Sequence, residues 1–133
     1  MGMGMNTSIP VLVVDDSKTM LRIVRQILMT CGFHDIDEAE DGMRALALIK
    51  NKAYGLVICD VEMNQMSGLD LLQSVRDDKI ARETCFVLMT ALKETSYIIA
   101  ARQLQADSLI LKPFTVDMLL EKLAKIPKLN QLT

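Results

Sequence analysis

Four short apolar runs punctuate the chain, and each delivers a polar side chain at its C-terminal end. Val11-Leu12-Val13-Val14 runs into Asp15 and Asp16, and Leu56-Val57-Ile58-Cys59 runs into Asp60. Phe86-Val87-Leu88-Met89 runs into Thr90, and Leu109-Ile110-Leu111 runs into Lys112. Continuous Val/Ile/Leu runs of this length predict strands buried on both faces of a sheet. A weaker segment, Asp35 to Glu40, fits an edge strand between the first two runs.

Between the runs the apolar spacing becomes helical. Ser17 is a good N-cap for a stripe of Met20, Ile23, Val24, Ile27 and Leu28 that ends near Gly32. Asp41 can cap a second helix carrying Ala45, Leu46, Leu48 and Ile49, and Ser67 a third carrying Leu69, Leu71, Leu72 and Val75. A fourth helix is predicted from Glu94 to Gln105, and a fifth from Thr115 to about Ile126, closed by Pro127. Strand and helix alternate five times, which predicts an α/β fold: a five-stranded parallel sheet with five helices on its two faces. The expected strand order is 2-1-3-4-5, that of doubly wound, flavodoxin-like sheets. The domain is expected over residues 9–127, between an N-terminal tail (1–8) and a C-terminal tail (128–133).

The 133 residues suffice for one domain with its own core. A net charge of −2 with no run of Lys or Arg argues against a nucleic-acid footprint. No apolar stretch approaches the roughly 18 residues a membrane span needs, so no membrane role is expected. The N-terminus lacks a secretory layout, and a cytoplasmic location is expected. Three cysteines, Cys31, Cys59 and Cys85, form an odd set without metal-like spacing; Cys59 and Cys85 read as small buried hydrophobes. His34, at a turn after the first helix, reads as an exposed loop residue.

Right-handed crossovers put the C-terminal ends of all five strands on one rim, and the binding crevice lies where strand order reverses. Asp15, Asp16, Asp60, Thr90 and Lys112 should therefore meet. At an effective dielectric of about 20, two like charges 4 Å apart cost roughly 4 kcal/mol. Lys112 supplies one compensating charge, and a divalent cation is the simplest source of the rest. A site of carboxylate oxygens and water favours Mg²⁺. A metal, a lysine and a hydroxyl around a carboxylate can stabilise an incoming phosphoryl group and yield an aspartyl phosphate. Asp60 is the best nucleophile because its strand is central, with Asp15 and Asp16 placed to hold metal beside it.

The stretches Val13-Val14-Asp15-Asp16-Ser17, Cys59-Asp60 with Met63 and Met66-Ser67-Gly68, Thr90-Ala91, and Lys112-Pro113-Phe114 occur in this order. Together they resemble the receiver domain of two-component response regulators, in its stand-alone, chemotaxis-type form, from about Pro10 to Ile126. The resemblance implies a regulatory phosphoacceptor and not an enzyme. Asp60 would accept a phosphoryl group from a phosphohistidine on a sensor histidine kinase or histidine phosphotransfer protein. Asp16, Asp60 and the backbone carbonyl of Glu62 would bind Mg²⁺, with Asp15 reaching it through water. Lys112, the Thr90 hydroxyl and the Ala91 backbone N–H would hold phosphoryl oxygens. Lys112-Pro113 would be a cis peptide, and Gly68 would occupy a position that tolerates no bulk. A downstream protein would bind the face made by the fourth helix, fifth strand and fifth helix, as in chemotaxis or motility control, and the chain would be a monomer.

Two positions depart from the family pattern, and two more fall where the family is variable. Leu109 stands where the family has an aromatic switch residue, with Tyr97 as a substitute or a packing residue. Asn64 replaces a proline in the loop after the acceptor, which should loosen that loop. Glu62 and Leu92 occupy the variable positions flanking the phosphoryl group, where they should influence hydrolysis. The alternatives are a receiver-fold binding module that works without phosphorylation, or a phosphate sink. A flavodoxin is disfavoured because Asp15-Asp16 would repel the flavin phosphate. A phosphatase with an aspartate nucleophile wants Asp-x-Asp, which Asp60-Val61-Glu62 matches imperfectly and in the wrong strand.

Overall fold

The computed structural model describes residues 4–91 and 95–130. Strands β1 (Val11–Val14), β2 (Ile36–Ala39), β3 (Leu56–Asp60), β4 (Cys85–Thr90) and β5 (Ser108–Leu111) alternate with helices α1 (Lys18–Thr30), α2 (Gly42–Asn51), α3 (Gly68–Asp77), α4 (Thr95–Gln103) and α5 (Val116–Ala124). All strand pairs are parallel, and the order is β2-β1-β3-β4-β5, as the alternation predicted.

The period of two along each strand divides the core. Val11, Val13, Ile58, Val87 and Met89 point to the side covered by α1 and α5, against Val24, Leu28, Leu119 and Leu123. Leu12, Val14, Val57, Cys59, Phe86 and Leu88 point to the other side, against Ala45, Ile49, Leu72 and Val75. Each fully buried Val, Leu or Phe contributes roughly 1.5–3 kcal/mol, so the two layers hold the sheet from both faces. Coverage weakens toward β5. Ser108 and Leu109 are half-buried and Leu111 is exposed, and α4 buries only Ala101 completely.

Helix ends follow local chemistry. Ser17, Asp41 and Ser67 each accept a backbone N–H inside their helix, and Thr115 does the same for α5. Helix α1 ends at Thr30, and Gly32 just beyond its cap has a φ of 107° that lets the Phe33 N–H reach the Leu28 carbonyl. Helix α4 stops at Gln103, short of the expected Gln105, because Gln105 turns left-handed (φ 62°) and the Ala106 N–H caps the Ala101 carbonyl. Helix α5 stops at Ala124 and not at Ile126: the residue before Pro127 is pushed into extended backbone, and Pro127–Leu129 forms a 3₁₀ turn. Described residues on either side of 9–127 also make contacts. Leu129 is buried, its carbonyl accepts the Asn6 N–H at 2.7 Å, and the Asn130 amide donates to the Leu123, Ala124 and Ile126 carbonyls.

Candidate functional site

Strand register decides which polar side chains meet. Val14 pairs with Cys59, so Asp15 and Asp60 leave adjacent strands at the same level. Pairing continues past the strand ends. Asp15 N–H donates to Ala39 O, Val61 N–H to Met89 O and Lys112 N–H to Thr90 O. These bonds hold the backbone of the site on the rigid sheet, not on free loop.

There the carboxylates converge. One oxygen each of Asp15, Asp16 and Asp60 lies within 4.8 Å of the others. Asp15 is 1% exposed and Asp60 7%, while Asp16 opens to solvent. Lys112 reaches in from the end of β5, its Nζ 2.9 Å from Asp15 Oδ2 and 3.2 Å from Asp60 Oδ1. The Ser17 backbone N–H donates to the other Asp15 oxygen at 2.9 Å. That donor was not legible in the sequence, because a backbone amide carries no residue signature. Thr90 is fully buried at the end of β4, and Ala91 follows it, exposed. The Lys112-Pro113 bond is cis, as the resemblance implied. Glu62 is exposed in the loop after Asp60, and Leu92 lies outside the described residues.

The electrostatics are those of a site short of positive charge. Burial pushes the Asp60 carboxyl above the ordinary carboxylate range; Lys112 offsets this in part, and Asp15 and Asp16 add to it. Burial alone would lower the Lys112 ammonium, but its contacts to Asp15 and Asp60 outweigh burial and raise it, so it stays charged. Among the described residues, three carboxylates stand against one ammonium, an excess of negative charge that matches a hard divalent cation with oxygen ligands. The residues present therefore fit Mg²⁺. The Cys59 thiol, held well above its usual value by burial and by Asp60, stays neutral beneath the site.

Surrounding positions explain the motif. A Cβ at Gly68 would collide with the Asp60 carbonyl oxygen, so only glycine lets α3 start this close to β3. Leu109 and Tyr97 are both partly buried against the α2–α3–α4 side of the core, which makes Tyr97 a packing residue. His34 is exposed, Cys59 and Cys85 are buried, and all three cysteines are free.

Residues 11–124 match the family described as the response regulator receiver domain. The chain belongs to that family. This receiver is 38% identical over 122 residues to the chemotaxis protein CheY-3 of Vibrio cholerae, covering 92% of the chain and 94% of the relative. It is 36% identical over 116 residues to the chemotaxis protein CheY of Pseudomonas aeruginosa, covering 87% and 94%. Among solved structures, Vibrio cholerae CheY4 superimposes with a TM-score of 0.83 at 27% identity, covering 90% of this chain and 98% of that one. The family is regulatory, so the receiver is a signalling component and not a metabolic enzyme. Among the described residues, no helix is long and apolar enough to cross a membrane.

Proposed function

We propose that this receiver is phosphorylated on Asp60 and reports its state by binding another protein. The observation that carries the reading is the convergence of Asp15, Asp16 and Asp60, with the Lys112 ammonium on two of them. The donor is a phosphohistidine on a sensor histidine kinase or a histidine phosphotransfer protein. An Asp60 carboxylate oxygen attacks phosphorus, and the phosphorus–nitrogen bond breaks. The imidazole departs with the electron pair and takes up a proton, leaving an acyl phosphate on Asp60. Burial makes the ionised Asp60 more basic, hence a stronger nucleophile, than a solvated aspartate.

Lys112 stays charged and already touches the acceptor carboxylate, so it can follow negative charge onto the phosphoryl oxygens. The Thr90 hydroxyl and the Ala91 backbone N–H add donors on the same rim. Asp16, Asp60 and the Glu62 carbonyl would hold Mg²⁺, with Asp15 reaching it through water, and the bound ion would supply positive charge to stabilise the incoming phosphoryl group.

The output surface is the α4–β5–α5 face. Ile98, Leu109, Leu111 and Met118 line an apolar hollow of about 710 Å³ there, rimmed by Lys122 and Lys125. The names of the similar chemotaxis proteins favour a place in chemotaxis or motility control. A cytoplasmic monomer is part of the same reading.

Incubation with acetyl phosphate and Mg²⁺ should add one phosphoryl group by intact-mass measurement, and Asp60→Asn should abolish it. An unchanged increment in the variant would defeat the assignment. Failure of the wild type to bind Mg²⁺ at millimolar concentration would favour the phosphorylation-independent module instead.

A further inference from the structure

The loop that follows Asp60 carries Glu62, and Asn64 has replaced its proline. The structure shows what holds the loop in place. It is closed at its base, where the Gly68 N–H donates to the Val61 carbonyl at 2.9 Å. At its tip the Met66 N–H donates to the Asn64 carbonyl at 2.8 Å, across Gln65, whose φ of 69° lies in the left-handed region. A non-glycine residue there stores strain, which persists only if neighbouring contacts hold the turn. Glu62, Asn64 and Gln65 are exposed and provide little restraint, while Met63 and Met66 are partly buried against the α2–α3 side of the core.

Met66 provides the lateral contact. Its side chain occupies the space beside Gly42, the first residue of α2. A Cβ built at Gly42 would meet Met66 Cβ, Cγ and Sδ, all at 2.8 Å. The α2 terminus cannot retreat easily. Asp41 caps it through Arg44 N–H at 2.7 Å, and Ala45 and Ile49 are buried behind it. Any side chain at position 42 must therefore displace the methionine, and with it the turn.

We propose that Met66, seated on Gly42, is the positioning residue that sets the loop bearing the Glu62 carbonyl, and so tunes magnesium affinity from outside the ligand set. The seat replaces the stiffness that proline would have supplied at position 64. This inference rests on the magnesium reading above.

The test is Mg²⁺ binding by calorimetry, with no phosphoryl donor, at a temperature well below unfolding. Gly42→Ala and Met66→Ala should each weaken Mg²⁺ roughly tenfold, the scale on which residues that orient metal ligands act. Met66→Leu, which keeps an apolar side chain of similar reach, should restore most of the affinity. The double variant Gly42→Ala/Met66→Ala should bind like either single one, because both remove the same seat. Amide exchange over residues 61–67 should quicken in both single variants, with the circular dichroism of the fold unchanged. Wild-type affinity in Gly42→Ala and Met66→Ala, or losses that multiply in the double variant, would overturn the inference. If the wild type itself fails to bind while Asp60→Asn looks identical, the magnesium reading falls and the inference falls with it.

Discussion

Replacing Lys112 by methionine removes the one cation that, among the described residues, lies against both buried carboxylates. Its Nζ lies 2.9 Å from Asp15 and 3.2 Å from Asp60, and its side chain is 16% exposed. At an effective dielectric of about 20, each contact is roughly 5 kcal/mol of gross attraction. Desolvating the ammonium cancels several kcal/mol of that, and deleting one partner of a buried ionic group typically costs about 3–5 kcal/mol net. Protonation of one carboxyl caps the loss. At pH 7 that costs roughly 4 kcal/mol for a group whose unfolded value is near 4. Lys112→Met should therefore lose about 3–4 kcal/mol at pH 7. The sign of the pH dependence follows from Asp60. Its folded-state pKa is already above the unfolded one, and loss of the lysine raises it further. The penalty is full above the raised value and fades as pH falls toward 4, where both states bind the proton. Urea unfolding followed by circular dichroism, in chelator, between pH 7.5 and pH 4.5 measures it. A loss below about 1 kcal/mol at pH 7, or an equal loss at pH 5, would refute the electrostatic account.

Other parts of the structure make independent demands. Gly68→Ala places a Cβ against the Asp60 carbonyl, a backbone atom that cannot swing aside, so it should cost more than about 2 kcal/mol by chemical denaturation. Tyr54→Phe deletes the hydroxyl that donates to Asp37 at 2.6 Å. That bond, with Lys52, holds Asp37 below the usual carboxylate range, so it adds stability above pH 4 that disappears as pH falls through the depressed value. Because Asp37 is 39% exposed, the discounted loss is about 1 kcal/mol at pH 7, and a denaturation series down to pH 2.5 should show it vanish. Alkylation at pH 8 in the native state should label Cys31 slowly and leave Cys59 and Cys85 untouched, since burial raises both thiols, Cys85 to about 12. Rapid labelling of three thiols by mass would contradict the burial of β3 and β4.

Strand and helix identity are written within a few residues of chain, and the sequence carries them plainly. An apolar run that ends in a polar residue is a buried strand meeting the rim, and a Ser, Asp or Thr before a helical stripe is a cap. Ser17, Asp41, Ser67 and Thr115 all perform that role. The convergence of Asp15, Asp60 and Lys112 was foreseen because parallel topology and crossover handedness leave one rim for every strand's C-terminal end. What the residues by themselves could not specify is anything that depends on register or on close approach between distant segments. Lys112 and Asp15 are 97 positions apart, and only the pairing of four strands sets their 2.9 Å contact. The bond between Asn6 N–H and the Leu129 carbonyl and the seat of Met66 on Gly42 belong to the same class. Each depends on which backbone happens to pass within van der Waals distance. Local periodicity is blind to that distance, and tertiary packing alone decides it.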